Sequence, residues 1–247
     1  MKISDLLLLS TRTFKTRPTR TFLTVLGVSV GIGAVLFLVS LGYGLQKAIL
    51  NKITSADALL SLDVSAGTGG LITLDRKNLE EISKMEKVAE VSPMINLSAQ
   101  LTLGELTSDG LIYACPASFF RLNGSTAKLG NFFSQDDSYE IAISTAGAQL
   151  FNIPPEQMIG KEISLILFIA KKAEDGSENV EAVKREQKYK VVGVVEDENT
   201  NYVYLPIKTI EDLNIDEFAQ AKVKISNNEH MEGVRNKIIE RGFLVSS

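Results

Sequence analysis

Hydrophobic residues are distributed unevenly along the chain, and the longest apolar run lies near its start. Residues 21–46 contain no charged side chain over twenty-six positions. A helix needs about 20 mostly apolar residues to cross the hydrocarbon core of a bilayer, so this run predicts a transmembrane helix. A signal peptide has a shorter apolar core with a cleavage site close behind it, and a buried helix of a soluble protein carries charges on some face. The run fits neither alternative.

Charges on the two sides of the apolar run predict its orientation. The first twenty residues carry five bases and one acid, and the bases nearest the run are Arg12, Lys15, Arg17 and Arg20. Excess Lys and Arg marks the cytoplasmic side of the plasma (inner) membrane, so we expect the N-terminus inside and residues 47–247 outside. Apolar residues interspersed with these bases favour an amphipathic helix that contacts lipid headgroups before the span.

Small residues within the apolar run predict where another helix packs. Gly27 and Gly31 form a GxxxG pattern, with Gly33 and Ala34 beside them. Small side chains at this spacing let two membrane helices approach closely. Glycine is also common in membrane helices, so a packing face and a silent pattern are both open interpretations.

The remainder of the chain alternates between strand-like and helix-like patterns, which predicts an α+β domain. Period-two or continuous apolar runs predict strands at 60–65, 140–144, 163–170, 189–195, 202–206 and 221–226. Asp75 is expected to cap a helix over residues 76–88. Residues 94–115 are expected to form strands around Gly104 and Asp109-Gly110, with Asp109-Gly110 as the hairpin turn. We expect strand 163–170 to pair with strand 189–195, with the charged run between them as a hairpin tip.

Composition and motifs argue against enzymatic chemistry and nucleic-acid binding. After residue 20 the chain holds 21 bases and 29 acids, and an acidic exterior disfavours binding to nucleic acid. Cys115 and His230 are the sole cysteine and histidine. One cysteine permits no intrachain disulfide, and the pair is too little for a metal site. No nucleotide-binding loop or nucleophile elbow occurs, so we predict no catalytic residue, cofactor or metal.

A series of short motifs resembles the MacB-type ABC transporter permeases, the family that also includes FtsX and the lipoprotein-releasing permeases. The run RPTRTFLTVLGVSVGIGAVLFLVSLGYGLQ is similar to their first membrane helix, and SLDVSAG is similar to the strand that follows. The motifs LEEISKMEKVAEVSP, PASFFRLNG, KLGNFF, MIGKEI, YKVVGVVED and YVYLP then occur in the family's order. The resemblance covers nearly the whole chain.

This resemblance implies a domain organisation and a mode of action. The implied segments are a cytoplasmic amphipathic helix (1–20), a transmembrane helix (21–46), a helical extension (47–57), a membrane-proximal lobe (58–110 with 200–247) and an inserted distal lobe (111–199). Three further spans follow in the family, and two permeases pair with two ATPase subunits or domains. ATP-driven dimerisation of the ATPases then moves the outer domains.

Three functions remain open at this stage. The chain ends at Ser247, where the resemblance places a second span, so we expect either part of a longer permease or an anchored domain on its own. The first function is the N-terminal part of a permease for export, efflux or envelope transport, whose partners are an ABC ATPase subunit and a second permease copy or the later permease helices. The second is a membrane-anchored extracytoplasmic binding module. The third, an anchored enzyme, has the least support because no nucleophile–base pair can be assembled.

Overall fold

A computed structural model describes residues 18–67, 72–172 and 178–246. Contacts divide the chain into two units, residues 1–53 and 54–247. Helix α1 (Pro18–Leu59) supplies the described part of the first unit, and its last turn, from Thr54, belongs to the second. Pro18 begins this helix, at a position where its missing N–H costs no helical hydrogen bond. Residues 47–57, the predicted helical extension, lie within this helix, and the outward direction of the extension stays a prediction.

The N-terminal part of α1 is long and apolar enough to cross a membrane. Its segment Pro18–Gln46 spans 29 residues with a mean hydropathy of 2.5, and no other described helix meets these conditions. Large apolar side chains along it are exposed, such as Phe22 at 64% and Phe37 at 65%. A helix that is hydrophobic all round requires an apolar environment on every side.

The second unit is a mixed α/β domain, as the sequence predicts. Its strands are β1 (Ser61–Ser65), β2 (Val88–Leu103), β3 (Leu106–Cys115), β4 (Leu129–Gly130), β5 (Glu140–Ser144), β6 (Glu162–Lys172), β7 (Glu178–Lys184), β8 (Tyr189–Val195), β9 (Tyr202–Pro206), β10 (Gln220–Ile225) and β11 (Leu244–Ser246). Its helices are α2 (Arg76–Ser83), α3 (Ser118–Leu122), α4 (Thr145–Leu150), α5 (Pro155–Met158) and α6 (Met231–Glu240), with 3₁₀ turns at Ile207–Leu213 and Asn228–His230.

Four strands form an antiparallel sheet in the order β11-β1-β10-β2, which we call the β10 sheet. Alternate residues of β10 (Ala221, Val223 and Ile225) are fully buried in the core that includes side chains of α2 and α6. Because successive strand residues point to opposite faces, Lys222 and Lys224 lie on the other side of this sheet. That second side is polar.

Six strands pair in a closed circuit, β2-β3-β9-β5-β8-β6 and back to β2, and so form a small barrel. Strand β7 adds to the outside of β6, and β4 pairs with β8. Alternate barrel residues such as Leu101, Ile112 and Ile143 are fully buried. Side chains therefore fill the barrel, as expected for so few strands.

Strand β2 belongs to both strand groups. Its first part pairs with β10 as far as Met94, opposite Gln220, and from Ile95, opposite Ala114, it pairs with β3. Pro93 lies just before this change of partner, opposite Ala221. The lobe boundaries expected at 110/111 and 199/200 stay a prediction.

One predicted turn is wrong. Asp109 and Gly110 lie within β3, opposite Gln100 and Ala99 of β2, and the hairpin instead turns at Gly104 and Glu105. Gly104 has φ +63°, the left-handed conformation that a two-residue turn of this kind requires. Gly110 serves packing, because a β-carbon there would lie 2.8 Å from the Leu101 side chain.

Two predicted segments are shorter or paired differently. Helix α2 ends at Ser83 instead of residue 88, because Val88 begins β2 and pairs with Ile225 of β10. The charged run between β6 and β8 contains strand β7, which pairs with seven residues of β6. Strand β8 meets β6 only through Lys190 and Tyr189.

Candidate functional site

The polar side of the β10 sheet carries a set of ion pairs around the last turn of α1. We call Asp57, Glu90, Arg121 and Lys224 the junction cluster. Asp57, in that last turn, accepts hydrogen bonds from Arg121 of α3 and from Lys224 Nζ of β10, the latter at 2.7 Å. The second terminal nitrogen of Arg121 donates a hydrogen bond to Glu90 Oε2 at 2.6 Å. A single arginine therefore connects α1, α3 and β2.

The junction cluster is partly shielded from solvent. The side chain of Asp57 is 17% exposed and that of Lys224 is 23% exposed. Next to it, Lys222 Nζ lies 2.5 Å from Asp63 Oδ1, and the Lys222 side chain is only 10% exposed. Ion pairs shielded in this way are screened less by salt than pairs on an open surface.

Hydrogen bonds in the cluster favour its charged forms. The hydrogen bond from Lys224, with a further one from Arg121, lowers the pKa of Asp57 below its ordinary value although burial opposes this shift. The hydrogen bonds to Glu90 and Asp57 raise the pKa of Arg121. Asp57 and Arg121 are therefore charged at neutral pH.

Close backbone packing accompanies the ion pairs. Gly124, just after α3, has φ +63°, and a β-carbon on it would lie 3.0 Å from the Ala58 β-carbon of α1. Ser118 of α3 donates a hydrogen bond to Ser92 of β2 at 3.0 Å. The last turn of α1 is thus held both by charge and by direct contact with the turn after α3.

The junction cluster connects structural elements by pairing opposite charges, and it presents no reactive group. Cys115 is fully buried, and burial raises its pKa well above the ordinary thiol value, so it is a poor nucleophile. His230 is the N-cap residue of α6 and is not a member of the junction cluster. Within the described ranges, no three His, Cys, Asp or Glu side chains group as metal ligands.

Of the sequence-predicted site residues, those in α1 are exposed. A β-carbon on Gly27, Gly31 or Gly33 would meet no atom within 4 Å. Gly27, Gly31 and Ala34 share one side of the helix, whereas Gly33 lies about 120° around it from Gly27. Arg20 lies in the exposed first turn of α1. Arg12, Lys15, Arg17 and the predicted amphipathic helix lie outside the described residues.

Sequence reasoning missed the junction cluster. The alternation of Lys222 and Lys224 with apolar residues was visible and indicates a strand with one charged side. Asp57 is the sole acid of the extension 47–57, which was a second signal. Neither signal identifies the partner, because Arg121 lies 64 residues from Asp57 in the chain.

A groove of about 350 Å³ lies on the apolar side of β2. Val91, Pro93 and Ile95 line it from β2, Leu79 lines it from α2, and Ile210 lines it from the 3₁₀ turn after β9. Both signs of charge occur at its margin, on Arg76, Glu80, Lys208 and Glu211. The volume and the apolar lining are those of a small binding site.

An apolar helix joined to a mixed α/β domain defines a class of protein in which a helix able to span a membrane is followed along the chain by a folded domain. Residues 21–241 match the MacB-like periplasmic core domain family, a range that covers most of the chain and includes both parts. The chain belongs to this family, as the sequence resemblance predicts.

Curated relatives carry the same family relationship. The macrolide export ATP-binding/permease protein MacB of Bartonella henselae is 29% identical over 209 residues, which are 78% of this chain and 29% of that protein. The protein of the same name from a Shewanella strain is 31% identical over 130 residues, 50% of this chain and 20% of that protein. The chain thus spans less than a third of the length of these relatives.

Solved structures share the fold. The periplasmic region of MacB from Actinobacillus actinomycetemcomitans superposes with a TM-score of 0.54 at 17% identity, covering 76% of this chain and 88% of that one. The extracellular domain of the noncanonic ABC-type transporter YknZ from Gram-positive bacteria gives 0.52 at 10% identity, covering 76% of this chain and all of that one. At these identities the likeness establishes the fold alone.

Proposed function

We propose that this chain is the N-terminal part of the permease of an ABC transporter, with α1 as its first membrane span. The observation that carries the proposal is the family match over residues 21–241, since it runs continuously from the apolar helix through the outer domain. The curated relatives are named as macrolide export ATP-binding/permease proteins, which favours export or efflux as the class of transport. A separate ATPase subunit or domain supplies ATP hydrolysis, and the outer domain moves with the ATP state.

In this proposal the N-terminal bases lie in the cytoplasm at the plasma membrane, among lipid headgroups, and the domain after α1 lies outside it. Cysteine labelling tests the orientation, because the native Cys115 is fully buried and unreactive. Ser226→Cys, at an exposed position, should react with a membrane-impermeant maleimide in intact spheroplasts. Thr16→Cys should react only after permeabilisation. The reverse pattern would contradict the orientation.

The small-residue side of α1 is proposed to pack against a helix of the same permease or of a second copy. Gly27, Gly31 and Ala34 form that side, and Gly33 lies toward a neighbouring one. Gly31→Ile should lower the yield of assembled transporter in native membranes, because an added side chain keeps the helices apart. Leu36→Ile, about 180° around from Gly27, is the matched control. Equal yields for both variants would contradict a packing role.

ATP-dependent motion is the direct test of this function. A spin label at Glu229→Cys, an exposed position of the outer domain, reports the distance between two permease copies in the assembled transporter. We expect different distance distributions in nucleotide-free and ATP-trapped states. Identical distributions in the two states would refute ATP-driven movement of the domain.

The groove beside α2 supports one alternative, a membrane-anchored binding module without transport activity. Its apolar floor, from Val91 to Ile95, would then bind a ligand or an envelope protein. The two functions differ in a simple observation. A binding module would be purified from native membranes without an ATPase, whereas the permease would bring one with it.

A further inference from the structure

The junction cluster contains a second carboxylate that can take over from the first. Within the described residues, Asp57 pairs with both Arg121 and Lys224, whereas Glu90 pairs with Arg121 alone. Glu90 and Lys224 are directly opposite each other in the antiparallel pairing of β2 with β10. Opposite residues of such a pair have β-carbons about 5 Å apart on the same face, so the two side chains are within reach of each other.

Removal of Asp57 would therefore leave no cation unpaired. Arg121 keeps its hydrogen bond to Glu90, and Lys224 turns to the same carboxylate across the sheet. Arg121 bonds to Oε2 of Glu90, so Oε1 can accept a hydrogen bond from Lys224. Asp57 itself would move into water, where a carboxylate is well solvated. Both arrangements satisfy both cations, and they differ in whether the last turn of α1 is attached and contacts the turn after α3.

We infer that the junction cluster is a two-position latch for the last turn of α1, with Asp57 and Glu90 as alternative partners of Lys224. In the attached position Lys224 pairs with Asp57. In the released position Lys224 pairs with Glu90, and residues 54–59 lift away from β10. Such a latch lets the end of a membrane helix detach from the outer domain without leaving a cation unpaired. That use rests on the proposed function, whereas the latch itself does not.

The latch makes the two carboxylates act in opposite directions. Asp57→Asn removes the charge that holds the attached position, so release becomes easier. Glu90→Gln removes the partner that receives Lys224, so release leaves a cation unpaired and becomes harder. The hydrogen bond of Arg121 to residue 90 occurs in both the attached and the released position, so weakening it does not change the free-energy difference between them. A cluster that only holds the structure together predicts the opposite for Glu90→Gln, namely loosening.

Hydrogen exchange of the whole chain in lipid nanodiscs measures release directly. The reporting amides are those of residues 54–61, where Leu60 N–H donates to the Asp57 carbonyl at 3.2 Å. Asp57→Asn should accelerate their exchange about tenfold, because it weakens two charge-assisted hydrogen bonds. Glu90→Gln should slow it about two- to fivefold, the range that partly exposed ion pairs produce. Peptides from the barrel strand β8 serve as the internal reference for global unfolding.

Glu80→Gln is the matched control, since Glu80 lies in α2 and its ion pair with Lys84 is well exposed. It should leave exchange of residues 54–61 unchanged. Slower exchange in Glu90→Gln supports the latch even if Asp57→Asn fails to fold. Unchanged or faster exchange in Glu90→Gln, with the β8 reference unaltered, overturns it. Neither result depends on an ATPase, so the latch and the transport function can fail separately.

Discussion

Gly124 offers the sharpest test of how the last turn of α1 is held. Its β-carbon would lie 3.0 Å from that of Ala58, and its backbone is left-handed at φ +63°. Gly160 is a matched control, because its φ is +84° and a β-carbon there would meet nothing within 4 Å. Gly124→Ala and Gly160→Ala therefore share the backbone strain and differ in the contact with α1.

The magnitude follows from two contributions. A left-handed conformation costs a residue with a β-carbon about 1–2 kcal/mol, and loss of glycine's freedom in the unfolded chain returns about 0.4–1 kcal/mol. Gly160→Ala should thus lower the free energy of unfolding by about 1 kcal/mol. Gly124→Ala adds a 3.0 Å contact with the Ala58 β-carbon, and because Gly124 is exposed and Ala58 only half-buried, this costs about 1 kcal/mol, the low end of the range for overpacked cores. We expect a total loss of roughly 2 kcal/mol for this variant.

Urea unfolding of the chain in nanodiscs measures both losses. Tyrosine fluorescence is a suitable signal, because the sequence has no tryptophan and six tyrosines, of which only Tyr43 lies in α1. Hydrogen exchange of residues 54–61 should increase in Gly124→Ala and stay unchanged in Gly160→Ala. Equal unfolding free energies for the two variants would refute the close contact between α1 and the turn after α3.

Two further predictions concern ion pairs. Arg185→Met should lower the free energy of unfolding by about 1.5–3 kcal/mol, because the guanidinium binds both carboxylate oxygens of Asp212, at 2.8 and 3.1 Å, and the Arg185 side chain is 16% exposed. Lys188→Met, which breaks an exposed ion pair of 3.9 Å, should change this free energy by less than about 0.5 kcal/mol. Similar losses for the two variants in urea titrations would contradict this prediction. The pKa values of Asp57 and Asp212 are lowered, by Lys224 and Arg185 respectively, so their stabilisation is present above the ordinary carboxyl pKa and is lost as pH falls through the lowered values. The urea concentration at the unfolding midpoint should therefore decrease as the pH is lowered from about 5 to about 2. The decrease should be less steep in the double variant Asp57→Asn/Arg185→Met. Equal slopes for the double variant and the unmodified chain would contradict the assignment of this pH dependence to Asp57 and Asp212.

Much of the fold could be predicted where local patterns and tertiary structure agree. Strands β5, β8 and β9 have the predicted bounds, because their apolar runs are short and bounded by polar residues or turns. Asp75 caps α2 as predicted, accepting the Asn78 N–H at 2.7 Å. In these places a few neighbouring residues determine the structure.

Prediction failed where distant pairing overrides a local signal. Asp109-Gly110 is a strong turn signal, yet pairing with β2 continues through it and places the turn at Gly104. Val88 fits the end of a helix, yet pairing with β10 makes it a strand. The junction cluster has the same origin, since it joins four elements that are far apart in the chain. Residue patterns identify its charges but not their partners.

We expect this chain to work as part of an ABC permease. The most direct measurement is native mass spectrometry of the full encoded protein, tagged at its chromosomal locus and extracted from native membranes into nanodiscs. We expect a complex with two permease copies and two ATPase subunits or domains. A folded, membrane-bound protein with no ATPase in the complex would contradict it and favour the anchored binding module.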